Sequence, residues 1–186
     1  MLLRAGLIVV ILTSMLSLQT PVAAQGGSIQ LAVDTTDFNQ DGLLVLFGGL
    51  RFQGEVGLPV AAGDINGDGR AEVIFCGMFG STSPRTNNGV VNFYMSDGRD
   101  SGFVDQAQNP PNIFKLLGAR SGDLLGTSVS ANGDVNGDGI RDVAIGAGGQ
   151  DGPGRPIADN RGAAYVVFGS PNFNGNADLA TGGDPP

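Results

Sequence analysis

Apolar residues along this chain fall in short runs that glycine opens or closes. Val73-Ile74-Phe75-Cys76 and Val143-Ala144-Ile145 each follow a stretch rich in Asp, Asn and Gly. Each leads into a Gly/Pro/Asn-rich loop, residues 77–88 and 146–160. A second run then opens at a glycine, Gly89-Val90-Val91-Asn92-Phe93-Tyr94 in one place and Gly162-Ala163-Ala164-Tyr165-Val166-Val167-Phe168-Gly169 in the other. Gly42-Leu43-Leu44-Val45-Leu46-Phe47-Gly48 repeats that second pattern earlier in the chain. Short β-branched and aromatic runs with glycine punctuation predict strands joined by tight turns. No helical period is sustained after residue 24. Residues 114–117 suit either a turn of helix or a strand.

The start of the chain reads differently. Residues 1–4 carry a positive charge, residues 5–18 carry none, and the apolar heart lies at 7–12. Val22-Ala23-Ala24 offers the small residues that signal peptidase requires, which predicts a signal peptide over 1–24 and a mature chain from Gln25. The apolar run is too short for a bilayer-spanning helix, and no cysteine follows it to mark a lipoprotein. Export permits disulfides, but Cys76 is the only cysteine. Within an apolar run, and with no cation close in sequence, it is expected to be a buried small hydrophobe.

The strand pattern belongs to an internal repeat. Residues 63–73 read GDINGDGRAEV and residues 133–143 read GDVNGDGIRDV, so that Asp134 stands 70 positions after Asp64. A fixed period with strands on both sides indicates an all-β repeat architecture. The divisions expected are a leader over 1–24, the end of a partial repeat over 25–49, repeats over 50–100 and 101–170, and the start of a truncated repeat over 171–186.

Composition narrows the chemistry. The chain has no histidine, which excludes Ser-His-Asp and Cys-His catalysis and His-ligated zinc. A formal net charge of −8 argues against nucleic acid, whose binders carry basic stripes. Lys115 is the only lysine and no Ser-x-x-Lys motif precedes it. Asp123, the pair Asp97 and Asp100, and the pair Asp151 and Asp159 are the carboxylates open to glycosidase-like pairing. All sit in Gly-rich loops, where Asp is chiefly a turn former, so the chain is not expected to be an enzyme.

The repeated loops place oxygen donors at alternate positions: Asp64, Asn66 and Asp68 in the first, Asp134, Asn136 and Asp138 in the second. Gly69 and Gly139 follow, at the point of sharpest turning. Arg70 and Ile140 can offer a backbone carbonyl, and Glu72 and Asp142 close the set at position nine. Three carboxylates without sulfur or imidazole suit Ca²⁺ over a transition metal. An Asx-turn cluster would read similarly, but it gives no reason for two copies complete at the same five positions. An EF-hand needs an acid at position twelve and flanking helices. Phe75 and Ile145 stand there, inside strand-like runs. A third stretch, residues 37–42, matches only the first six positions and has Val45 at the ninth.

These loops, with Leu125-Gly126-Thr127-Ser128-Val129 ahead of the second and Val166-Val167-Phe168-Gly169 closing it, resemble the FG-GAP repeat of integrin alpha chains and of many exported bacterial proteins. The resemblance implies β-propeller blades of four antiparallel strands, with Ca²⁺ held in an interstrand loop. Residue by residue it assigns the metal to Asp64, Asn66, Asp68, Arg70 and Glu72, and to Asp134, Asn136, Asp138, Ile140 and Asp142. The chain departs from the family at Leu125-Gly126 and Val56-Gly57, where Phe-Gly is usual. It departs again at Gly146-Ala147-Gly148 and Gly77-Met78-Phe79, where Gly-Ala-Pro is usual, and the first repeat is one residue shorter before its loop. The resemblance implies an exported, adhesion-like module that meets a protein or glycan at the cell surface. The alternatives are an accessory propeller piece of a larger secreted hydrolase, or a partial gene product. At about two repeats the chain falls short of the four to eight blades of a closed propeller, and self-association is the expected consequence. It has no Arg-Gly-Asp tripeptide and no Asn-x-Ser/Thr acceptor.

Overall fold

The computed structural model describes residues 56–98, 102–151 and 160–180, together with the strand segments 8–12, 15–19, 23–24, 27–28 and 44–47. In chain order the strands are β1 (Ile8–Leu12), β2 (Met15–Gln19), β3 (Ala23–Ala24), β4 (Gly27–Ser28), β5 (Leu44–Phe47), β6 (Val60–Gly63) and β7 (Glu72–Gly77). They continue with β8 (Val90–Tyr94), β9 (Gly102–Asp105), β10 (Ile113–Leu117), β11 (Leu125–Gly133), β12 (Asp142–Ala147), β13 (Ala163–Val167) and β14 (Ala177–Asp178). One 3-10 turn, Gln106–Gln108, is the only other regular element among the described residues. The fold is all-β, as the glycine-punctuated runs predict. No helix among the described residues is long and apolar enough to cross a membrane.

The chain divides into two compact units, residues 1–47 with 99–104, and residues 48–98 with 105–186. In the first, β1 pairs antiparallel with β2 and β3 with β4, and β5 neighbours β9. The segment read as a signal peptide therefore carries the β1–β2 ladder.

The second unit holds both repeated loops. Its first sheet runs β14-β10-β8-β7-β6, and β6, β7, β8 and β10 form an antiparallel meander. That is the strand set of one propeller blade. Residues 114–117, open between helix and strand in the sequence, are strand because β10 pairs along β8, Ile113 opposite Tyr94 and Leu117 opposite Val90. β10 lies within residues 101–170, yet it completes the sheet begun by residues 60–94. Residues 177–178, placed by sequence in a new repeat, run parallel to β10 at the outer edge of the first sheet. Arg85 holds them there through a two-pronged bond to Asp178, Nη1 to Oδ1 at 2.7 Å and Nη2 to Oδ2 at 2.6 Å. The second sheet, β11-β12-β13, supplies three blade strands. Neither sheet closes into a barrel.

The core lies between these two sheets. Ile74, Cys76, Val91, Phe93 and Leu116 of the first meet Leu125, Ala131, Val143, Ile145 and Ala147 of the second. Each fully buried aliphatic side chain here contributes about 1.5–3 kcal/mol. The backbones approach closely because glycine stands at the crossing. Gly126 has φ +92°, and a Cβ there would sit 2.8 Å from Cβ of Cys76. Cys76 is fully buried, and burial pushes its thiol up to about 12. The other face of the second sheet presents Ser130, Ala144 and Val166 in one cross-strand row, all exposed.

Candidate metal centres

The two Asp-rich loops occupy equivalent places, one between β6 and β7, the other between β11 and β12. Their internal bonds match. Oδ1 of Asp64 accepts the N–H of Gly67 at 2.7 Å and of Asp68 at 3.1 Å, and its Oδ2 accepts that of Gly69 at 2.9 Å. Asp134 accepts from Gly137, Asp138 and Gly139 at 2.7, 3.1 and 2.9 Å. Oδ1 of Asn66 and Asn136 accepts the N–H of Asp68 and Asp138, at 2.9 and 3.0 Å. Oδ1 of Asp68 and Asp138 accepts from the residue two further on, at 2.9 and 2.8 Å. These short-range bonds are Asx turns, and they curl each loop around the carboxylate of its first Asp. Gly69 and Gly139 make the last turn at φ +85° and +90°, where a Cβ would be strained.

The closing acids differ. Glu72 is fully buried; its Oε2 accepts the Ile65 N–H at 3.0 Å, and its Oε1 lies 3.3 Å from the Asn66 amide nitrogen. Burial pushes its pKa up. Asp142 is also buried, but it accepts backbone N–H groups from Gly169 at 2.9 Å, Val135 at 2.7 Å and Asn136 at 3.4 Å. The Gly169 bond above all holds its pKa below the usual carboxylate range. Arg70 adds a further contrast. Its Nη2 lies 2.7 Å from Oδ2 of Asp68, while Ile140 occupies that position in the second loop.

All the residues assigned to the two loops by sequence are therefore gathered there. Among the described residues, no three acidic, cysteine or histidine side chains by themselves converge as a metal cluster. The carboxylates are met instead by N–H donors, as where the Asn66 amide stands between Asp68 and Glu72. The side chains that the sequence offers as ligands present only oxygen donors, carboxylates and an Asn carbonyl. That chemistry fits a hard cation such as calcium and no softer metal.

Sequence reasoning did not find the residues that join the loops. The Arg141 N–H donates to the Asp64 carbonyl at 3.1 Å, and the Ser170 N–H donates to the Ile65 carbonyl at 2.9 Å. Gly169, visible in sequence only as the end of a strand-like run, reaches Asp142. Of the candidate catalytic carboxylates, Asp123 and Asp151 lie near enough for the charge of Asp151 to add to the rise in the Asp123 pKa. Asp123 is buried, accepts the Arg120 N–H at 2.8 Å, and is pushed up by burial. Asp151 accepts the Asn160 N–H at 3.1 Å. Asp100, Asp159 and the loop at 37–42 lie outside the described residues.

A four-strand antiparallel sheet followed by three equivalent strands, each with an Asp-rich loop between its first two strands, defines a protein built of β-propeller-type blades. Residues 126–167 match the FG-GAP repeat family. Integrin alpha-PS3 of Drosophila melanogaster is 31% identical over 127 residues, 68% of this chain and 10% of that protein. Integrin alpha-PS5 of the same organism is 29% identical over 133 residues, 68% of this chain and 11% of that protein. Over the segment these matches cover, the chain is an integrin alpha-like FG-GAP repeat protein. It spans about a tenth of the length of these curated relatives.

Proposed function

We propose that this chain is an exported calcium-binding repeat module of integrin alpha-like type that works in contacts with a protein or glycan at the cell surface. The observation that carries the reading is the recurrence of one hydrogen-bond pattern in two loops 70 positions apart. Calcium would be held by Asp64, Asn66, Asp68, the Arg70 carbonyl and Glu72, and by Asp134, Asn136, Asp138, the Ile140 carbonyl and Asp142. It supplies the positive charge that three neighbouring carboxylates need. The residues themselves hold the loop curled, present oxygen to one centre, and bind loop to strand. In this proposal the metal is structural and the chain is not an enzyme. A net charge of −8 sets nucleic acid aside as a partner. Export rests on the leader pattern of residues 1–24 and is checked by N-terminal sequencing: secreted or periplasmic protein should begin at Gln25, and a cytoplasmic product retaining Met1 would refute it.

The metal reading is tested by calorimetric titration of the folded chain. Two calcium ions per chain are expected, with dissociation constants of about 10⁻⁴ to 10⁻³ M. Absence of uptake by protein that melts cooperatively would overturn it.

A further inference from the structure

We infer that the two loops take up calcium as a coupled pair, with Gly169, Ser170 and Arg141 as the positioning residues that join them. This inference rests on the calcium reading above.

Three main-chain donors make the connection. Arg141, immediately before the closing acid of the second loop, holds the carbonyl of Asp64, the first ligand residue of the first loop, at 3.1 Å. Gly169 holds the closing carboxylate itself, its N–H 2.9 Å from Oδ1 of Asp142. Ser170, the next residue, holds the carbonyl of Ile65 at 2.9 Å. Positions one and two of the first loop are thus fixed by the residues that flank and grip position nine of the second. Because the bonds run from backbone N–H groups, no flexible side chain intervenes on the donor side. Ile65 is fully buried in the shared core, which anchors the acceptor side.

The join is also tight in space. A Cβ on Gly169 would lie 2.3 Å from the Arg141 carbonyl oxygen, 2.6 Å from Cγ2 of Ile140 and 2.9 Å from the Ile65 carbonyl oxygen. Residues of both loops therefore close around one glycine. A Cβ on Gly67 would lie 3.4 Å from Cδ1 of Ile140, so position seven of the second loop also touches the first. A cation that orders one loop fixes part of the other, and the second cation then meets a smaller ordering cost. The effect is reciprocal, because coupling between two binding equilibria must be equal in both directions.

The test is calcium titration of the full chain by calorimetry, with a thermal melt of each variant as a control for folding. Asp134→Asn disables the second loop. The first loop is expected to bind about five-fold or more weakly than in the intact chain. Asp64→Asn should weaken the second loop by the same factor. Gly169→Ala wedges the joint open; both loops should still bind, and Asp134→Asn added to it should no longer affect the first. If Gly169→Ala fails to melt cooperatively, the reciprocal pair of Asp134→Asn and Asp64→Asn decides alone. Equal losses support the coupling, and unchanged affinity of the surviving loop overturns it while leaving two independent calcium sites. No calcium uptake by the intact chain overturns the calcium reading and the coupling together.

Discussion

Arg70 reaches across the first loop to Asp68, with Nη2 2.7 Å from Oδ2, whereas the second loop carries Ile140 at the matching position. A cation entering the first loop would compete with that guanidinium for the carboxylate, and burial raises the pKa of Glu72, disfavouring the charged form that would bind it. The second loop is therefore expected to bind calcium more tightly. Arg70→Ile, which copies the second loop and keeps the ligating carbonyl, should raise the affinity of the first by about three-fold or more. Titration of Arg70→Ile beside the intact chain checks this, and a weakened first site would contradict it.

Calcium should stabilise the fold by mass action, since the unfolded chain has no preformed site. At a free concentration ten times the dissociation constant, each site adds about 1.4 kcal/mol, a rise of about 3–6 °C in Tm. Asp134→Ala should lose its share of that rise, and in chelator it should melt somewhat below the parent because Gly137, Asp138 and Gly139 lose their acceptor. A Tm unmoved by calcium would count against a structural metal.

The ion pair of Arg85 and Asp178 makes a pH prediction. The Arg85 side-chain hydrogen bonds hold the Asp178 carboxyl below its ordinary value. A carboxyl with a lowered folded-state pKa stabilises above its unfolded value, about 3.9, and that contribution fades as pH falls through the folded value. Asp178→Asn should therefore cost about 1 kcal/mol at pH 7, and its melting curve should approach that of the parent as pH falls below the unfolded carboxyl value of about 3.9. A constant difference across that range would show that the pair acts through packing instead of charge.

Gly126 and Cys76 mark one close approach of the two sheets. Gly126→Ala introduces a Cβ 2.8 Å from that of Cys76 at φ +92°, and should lower stability by about 2 kcal/mol in a denaturant melt. The Cys76 thiol, buried and pushed up to about 12, should resist alkylation at pH 8 until the chain is unfolded. Rapid labelling of the native protein would mean that the sheets part.

The exposed row Ser130, Ala144 and Val166 gives the second sheet a small, largely apolar face, with Val166 at 42% and nearby Phe168 at 54% exposure. The equivalent face of the first sheet is the one buried against β11. Association of the protein in calcium is expected on size-exclusion chromatography with light scattering, and Val166→Asp should reduce it. A compact wild-type monomer with a cooperative melt would refute this.

The amino-acid sequence by itself determined the elements whose bonds are local. The Asx turns of both loops join residues two to five positions apart, so the spacing of Asp, Asn and Gly suffices to curl each loop. The strand runs are likewise legible, because β-branched residues between glycines favour extended chain wherever they sit. Tertiary structure alone decided what depends on distant partners. β10 is a strand because β8 lies beside it. Residues 177–178 pair with β10 because Arg85, 93 positions away, grips Asp178. Gly169 joins the second loop across 27 positions, and Ser170 joins the first from farther still. A glycine or serine after a strand carries no mark of the carboxylate or carbonyl it will meet. That identity depends on two sheets packing face to face around Gly126, which brings the loop-bearing ends of both into register.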